Sequence, residues 1–405
     1  MSTPLIPGAR EVVRTERPAT GGAVARSGSG QVIFVRHALA HETVEVEITE
    51  VAARFARADA VAVIEANAER VNAPCAYAAS HQCGGCDLQH ASESAQLSWK
   101  SDIVSEHLAR IAGDDRRVDV VSVGAPRGSR TRLRCAVDAQ GRLGLRASRR
   151  HDVVALDACW LAHESLLGAF STDWSGFDEV ELRAIGDDVV AVARREEAED
   201  TIYELLTLDR SSLAASTVSR VRVNDHSFQV GPLSFWQSHR SAPQLLVSQV
   251  IELLGAREGD HVTDLYSGVG LFAVSLAPIV GSSGRVVAVE SSHDATTDAE
   301  VNARMHRQVT VRNWAVTPRA INDSVSVGDL VVLDPPRSGA GKAVMGALMR
   351  RRPRRMVYVS CDAATFARDV RVATDAGYTL SALRGFDLFP MTEHVELVGV
   401  LDDGS

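Results

Sequence analysis

The chain has 405 residues, of which 45% are hydrophobic and 23% charged, and a formal net charge of −9. This composition suits two or three folded domains and excludes a secreted disulfide scaffold or a wholly disordered chain. No apolar run approaches the roughly 18–20 residues that span a bilayer. The start, MSTPLIPGAREVVRTERP, lacks the apolar stretch of a signal peptide, so a cytoplasmic location is expected. There, six cysteines point to metal or catalytic thiol chemistry rather than disulfides. An acidic balance argues against a uniformly positive surface and leaves room for a local basic face.

In chain order, residues 1–10 are expected to be a disordered leader. Over 11–65 short runs such as QVIFVRHAL and ETVEVEITEV alternate with period two, which predicts half-buried strands. Several of them in so short a stretch predict a small OB-type barrel. A loop with three cysteines follows, then SESAQLSWKSDIVSEHLARIAG with apolar residues at helical spacing. This helical segment, 91–117, is expected to pack on the C-terminal domain. Residues 66–90 and 118–235 are expected to form a β-rich central domain. From 236 to 405 apolar strands (HVTDLY, RVVAVE, DLVVLDPP, MVYVSC, VELVGVL) alternate with helical stretches. That pattern predicts an α/β, Rossmann-like domain with a mostly parallel sheet.

Ligands of such sheets sit at the carboxyl ends of the strands. HVTDLY runs into Ser267-Gly268-Val269-Gly270, where glycines let the backbone approach a ligand. The next strand ends in Glu290, placed to accept both hydroxyls of a ribose. D-x-Y-x-G-x-G is not the dinucleotide fingerprint and fits S-adenosylmethionine better, because no pyrophosphate needs cradling. LVVLDPPRSG puts Asp334 on a proline-stiffened rim. Arg337 stands where amino-group methyltransferases carry an aromatic residue, which argues for another target atom. Cys361 ends another buried strand and is a candidate nucleophile. Glu396 opens the last strand and is a candidate general base, since partial burial raises a carboxylate's pKa. Glu393 reads as a turn residue, and His394 is left unassigned.

VSCD, DLFP-x-T-x-HVE, LDPPR-x-G and DLY-x-GVG, together with SFWQSH at 234–239, resemble the RNA 5-methyluridine (uracil-C5) methyltransferases. ERPATGGAVARSGSGQVIFVRHALAHETVEVEI is similar to their TRAM domain, an OB-type RNA-binding barrel. The resemblance implies a class I methyltransferase using S-adenosylmethionine on structured RNA, ribosomal or transfer. It implies that Cys361 adds to C6 of uracil, that Glu396 takes the C5 proton, and that Gln237, Tyr266, Glu290 and Asp334 hold the methyl donor. His239 stands where the family's F-x-Q-x-N ends in asparagine, and the segment 313–323 lacks the usual acidic residue on the adenine side.

Cys75, Cys83, Cys86 and Cys159 resemble four cysteines that hold a [4Fe–4S] cluster in many members. A four-cysteine zinc site is the alternative. Residues 127–150 carry eight arginines against one acid, and Arg132 and Arg134 would project from one strand face toward RNA phosphates. A solvated strand face is the plainer reading of them. Rival functions are a non-catalytic RNA-binding or assembly protein with a degenerate methyltransferase domain, and a same-fold enzyme modifying another pyrimidine.

Overall fold

A computed structural model describes residues 5–79, 82–148, 150–197, 200–214 and 216–404. At the N-terminus, β1 (Arg10–Ala19), β2 (Gly22–Arg26), β3 (Val32–Arg36), β4 (Thr43–Val51) and β5 (Phe55–Glu65) close a barrel in the order β1-β2-β3-β5-β4. The alternation seen in sequence becomes inside and outside: Ile33, Val35, Val44, Val46 and Ile48 fill the barrel. The expected leader is corrected for its described part. The Gly8 N–H donates to the Ile48 carbonyl, and Ile48 N–H to Ala9, so residues before β1 extend the barrel's pairing.

Helix α1 (Glu93–His107) is capped by Ser92, which accepts from Ala95 N–H, and runs into a π turn, Leu108–Ala112, closed by left-handed Gly113. It buries Gln96, Trp99, Lys100, Ile103 and Val104, spaced for one helical face. Trp99 and Ile103 join the barrel core, whereas Val104 joins that of the C-terminal domain. The helix therefore bridges two domains rather than packing on one.

β6 (Val120–Ser122) leads to β7 (Arg132–Val137), β8 (Leu143–Arg146), β9 (Val153–Ala155), β10 (Glu179–Ile185), β11 (Asp188–Glu197) and β12 (Asp200–Leu206). The last six form one sheet ordered β12-β11-β10-β7-β8-β9, with Trp174 buried under it. The hairpin β13 (Ser219–Val223) and β14 (His226–Val230) is separate. Two expected boundaries move. β6 pairs in parallel with the edge of the C-terminal sheet, and Val223, Phe228 and Val230 pack in that domain's core. The central domain thus begins after β6 and ends before the hairpin.

The C-terminal domain comprises α2 (Ala242–Leu254), β15 (His261–Leu265), α3 (Leu271–Val280), β16 (Arg285–Glu290), α4 (His293–Ala303), β17 (Val309–Asn313), α5 (Pro318–Ser324), β18 (Leu330–Leu333), α6 (Gly341–Arg351), β19 (Arg355–Ser360), α7 (Ala363–Asp375), β20 (Tyr378–Asp387) and β21 (Glu396–Asp403). Its eight-stranded sheet is ordered β17-β16-β15-β18-β19-β21-β20-β6. The five strands from β17 to β19 run parallel, and β21 is antiparallel to both its neighbours. Apolar clusters cover both faces, as near-continuous Val/Leu strands require. This is the class I methyltransferase fold. Among the described residues no helix is long and apolar enough to cross a membrane.

Candidate active site

Four carboxyl ends and one strand start share an edge of this sheet. β15 ends in Leu265 and the chain turns at once: Tyr266 has φ 62°, and Gly268 and Gly270 have φ 54° and 85°. A Cβ added at Gly268 would enter open space, so this turn leaves room against its backbone. The fully buried Asp264 accepts Ala273 N–H at 2.9 Å in the first turn of α3, and its other oxygen has no hydrogen-bond partner. The buried Ser267 hydroxyl is also without one. Such orphaned polar atoms call for a ligand or solvent.

Glu290 closes β16. One of its oxygens accepts Gly268 N–H at 3.0 Å, and the other accepts Ser291 and Ser292 N–H, each at 2.7 Å. The carboxylate is thus aimed by three backbone donors with lone pairs to spare. Gln237 donates its amide to Asp334 at 3.4 Å, across from the glycine turn. Glycine backbone, two carboxylates and an amide at the switch between β15 and β18 fit the polar ends of S-adenosylmethionine.

Cys361 follows β19 and is held in a tight turn, with the Ser360 hydroxyl donating to the Asp362 carbonyl and Asp362 capping α7 through Thr365 N–H. Ser360 pairs with Leu397 on β21. Glu396 therefore opens β21 beside the thiol. Burial, then the neighbouring Glu396 and Asp334, push the Cys361 thiol up to about 12, against the pull of Arg337. Burial raises Asp334 to about 7, opposed by its Gln237 bond. Burial, followed by the charge of Asp334, lifts Glu396 well above the usual carboxylate range, with Arg337 again opposing. Glu396 is buried and Cys361 and Asp334 are half-buried, and this burial favours the neutral form of each, with Arg337 opposing it at Cys361 and Glu396.

Against known proteins, residues 14–61 match the TRAM domain model. Residues 320–403 match tRNA (Uracil-5-)-methyltransferase. Residues 188–327 match Protein-L-isoaspartate(D-aspartate) O-methyltransferase, a stretch that includes the glycine turn and Glu290. An "uncharacterized RNA methyltransferase" of Streptomyces avermitilis is 39% identical over 94% of this chain and 95% of its own. One of Streptomyces coelicolor is 40% identical over 94% and 90%. The chain belongs to the RNA methyltransferase family. A crystal structure of Pyrococcus abyssi tRNA (uracil-54, C5)-methyltransferase in complex with S-adenosyl-L-homocysteine covers 96% of this chain and 99% of its own, at 26% identity and a TM-score of 0.70.

In this family member the residues singled out in sequence fall into separate places. Cys361, Glu396, Asp334, Gln237, Glu290 and Tyr266 lie along the one edge. Cys75, Cys83, Cys86 and Cys159 line one cavity with Leu145, Leu156, Leu161 and Arg130, and all are free thiols. The donor set suits a thiolate-bound metal group, and the Arg130 guanidinium favours the charged form of Cys83 and Cys86 against burial. Among the described residues no three such side chains are gathered at metal-binding distance. Cys135 is buried in the central core.

Arg132 is tied to Glu181 by two hydrogen bonds of 2.8 and 2.9 Å. Beside it, Arg183 donates to the carbonyls of Pro232 and Ser234, holding the segment that carries Gln237. Arg134 stays exposed, 3.6 Å from Glu181. Arg149 lies outside the described residues. His239 is buried, and its ring accepts Ser241 N–H at 3.2 Å just before α2. Asn313 ties β17 to α4 through Thr296 at 2.8 Å.

Sequence reasoning missed the groups that steady this edge. Lys100 on α1 is completely buried, 2.5 Å from Asp387 and 3.0 Å from the Phe389 carbonyl. Gln96 accepts Met391 N–H at 3.0 Å. The barrel's Gly21 N–H donates to Glu393 at 2.6 Å. Together these fasten the loop that delivers Glu396. Asp369, also fully buried, accepts from the Tyr358 hydroxyl and from Ala340 N–H, anchoring the loop that carries Arg337. One clue was available: Lys100 is one of only two lysines in an arginine-rich chain, and a compact ammonium suits a single buried carboxylate.

Proposed function

We propose that this RNA methyltransferase transfers a methyl group to C5 of a uridine in a folded RNA, ribosomal or transfer, by way of a covalent adduct, giving 5-methyluridine. The observation that carries the reading is the placement of Cys361 and Glu396 side by side at the end of β19 and the start of β21, next to Asp334. The match of residues 320–403 to a uracil-5 family and the Pyrococcus tRNA (uracil-54, C5)-methyltransferase support it.

C5 of uracil is a weak nucleophile until C6 is occupied. Cys361 gives its proton to water and its thiolate sulfur bonds to C6, moving the ring's electrons toward O4 and making C5 nucleophilic while Glu396 stays free to act as a base. S-adenosylmethionine, when bound by Gln237, Tyr266, Glu290 and Asp334, supplies an electrophilic methyl and a positive sulfonium. Arg337 favours the anionic form of both Cys361 and Glu396. Glu396 then takes the C5 proton, the C5–H electrons re-form the C5–C6 double bond, and the C6–S bond breaks to free Cys361. The target base must leave its stack to reach the thiol.

The four-cysteine cavity is proposed to hold a [4Fe–4S] cluster, with zinc as the alternative. Four thiols on one apolar-walled cavity support it, and no step above uses it. A cytoplasmic location belongs to the same proposal, following the RNA.

The test is methyl transfer to unmodified total RNA under anaerobic conditions, read by nucleoside mass spectrometry, for wild type, Cys361→Ala and Glu396→Gln. Formation of 5-methyluridine by wild type alone, with a protein–RNA adduct accumulating on Glu396→Gln, is expected. Folded, metal-loaded wild type that modifies no RNA would overturn the catalytic reading in favour of an RNA-binding protein. A different modified pyrimidine would overturn the C5 assignment.

A further inference from the structure

Next to the cysteine cavity lies a second, open cavity of about 740 Å³ on the central domain, a size that accommodates a nucleotide. Its walls include Tyr77, Arg127, Trp160, His163 and Arg240, and it shares Cys75, Tyr77, Cys159 and Trp160 with the cysteine cavity. Arginines elsewhere in this chain are usually committed: Arg132 to Glu181, Arg194 to Glu179, Arg355 to Asp402, Arg384 to Glu252. Among the described residues, the guanidiniums of Arg127 and Arg240 have neither a hydrogen bond nor an ion pair. Glu164, the one carboxylate on the wall, forms no salt bridge with either. Tyr77 has its hydroxyl fixed on Asp157 at 2.7 Å, and Trp160 is half-buried. Two uncommitted guanidiniums and two aromatic rings in one concavity match phosphate and base.

The cavity is also wired to the donor site. Arg130 N–H donates to the Leu161 carbonyl and its own carbonyl accepts His163 N–H, both at 2.8 Å. On the other side, Thr131 N–H donates to Ser238 at 2.8 Å and Arg240 N–H to Ser129 at 2.9 Å. The Thr131 hydroxyl donates to the Gln237 carbonyl at 3.2 Å. One strip, residues 129–131, is therefore clamped between the cavity wall and the segment that presents Gln237. Arg240 follows Gln237 by three residues, a chain reach of about 10 Å at most.

We propose that this cavity is a subsite for a single-stranded nucleotide flanking the target uridine, its phosphate held by Arg127 and Arg240 and its base stacked on Trp160. It rests on the RNA substrate of the preceding reading and gives that RNA a second point of attachment. Binding at the two places fixes the register in which a base reaches Cys361.

The experiment measures affinity for a fluorescent, unmodified RNA stem-loop against KCl concentration, using anaerobically purified full-length protein with its metal content. Wild type, Arg127→Ala, Arg240→Ala and Trp160→Leu are compared, with S-adenosylmethionine affinity and melting temperature measured alongside. Each arginine variant is expected to flatten the slope of log K against log salt by about one, one phosphate contact each. Trp160→Leu is expected to weaken binding about 5- to 100-fold with the slope kept. Donor affinity and melting temperature stay at wild-type values. Unchanged RNA affinity and slope in both arginine variants overturns the subsite. So does a loss of RNA affinity that follows a loss of donor affinity or melting temperature, or a wild type that binds no RNA. Protein that shows the slope changes but forms no 5-methyluridine sinks the uracil chemistry and leaves the subsite standing.

Discussion

Two buried glutamates in this molecule meet opposite fates. Glu42 in the barrel has no exposed surface, yet its carboxylate receives two Arg70 bonds of 2.6 Å, Leu39 N–H at 2.7 Å and Asn67 N–H at 3.1 Å. Burial pushes its pKa up, but these donors more than compensate and hold it below the usual range. Glu396 is as deeply placed, accepts no hydrogen bond from the described residues, and sits next to another acid. Its pKa goes the other way. The difference marks which carboxylate builds the fold and which is kept for chemistry: a satisfied charge is inert, and an unsatisfied one is available to move a proton.

Isosteric neutralisation separates the two most sharply. Glu396→Gln is expected to cut 5-methyluridine formation at least 10²-fold, the scale of a general base, while leaving the melting temperature equal or higher. Glu42→Gln is expected to do the reverse. Leaving Arg70 half-buried without its anion costs about 3–5 kcal/mol, the scale for breaking a buried pair, and activity per folded molecule stays at wild type. Thermal melts and single-turnover rates on the two proteins check this. Equal stability losses in both would erase the distinction.

The next expected effect is in pH. Asp334 has its pKa raised by burial to about 7 from the ordinary 3.8, so the folded state binds a proton that the unfolded state has released. Stability from this group is full below about pH 4 and is lost as pH rises through about 7. Asp334→Asn removes that loss. Its melting temperature, relative to wild type without the methyl donor, should climb by a few degrees between pH 5 and 8. A constant difference across that range would mean that Asp334 is ionised and paired in the fold. Bound S-adenosylmethionine, through its positive charge, should shrink the difference.

The sequence made the chemical edge readable because each of its parts is local: a strand, then its glycine turn, a DPPR rim, a cysteine or a glutamate. What it hid is what joins distant segments. β6 has three residues and becomes a strand only by pairing with β20, far along the chain, so no period-two pattern could place it in the C-terminal sheet. Lys100 reads locally as the polar side of α1, and its partner Asp387 is 287 residues away. Asp369 reads as the solvent face of α7 until Tyr358 and Ala340 close over it. Cys75, Cys83, Cys86 and Cys159 were legible as a group, whereas the neighbouring arginine cavity draws Arg127, Trp160 and Arg240 from three segments with no shared spacing.

His239 offers the smallest and cleanest contrast, because it departs from the family motif right beside Gln237. Burial, with Arg240 and Arg130 adding to it, lowers its pKa to about 4, so the ring is neutral in the fold and accepts Ser241 N–H. A histidine lowered in this way contributes stability above its ordinary 6.5, and that stability is lost as pH falls toward 4. His239→Asn keeps an acceptor of similar reach and cannot gain the proton. Its melting temperature should match wild type at pH 7.5 and exceed it by roughly 2–4 °C per kcal/mol of relieved linkage at pH 5. S-adenosylmethionine affinity should be unchanged at pH 7.5, since the ring faces the start of α2. A drop in donor affinity at that pH would instead put His239 in the donor site, with Gln237.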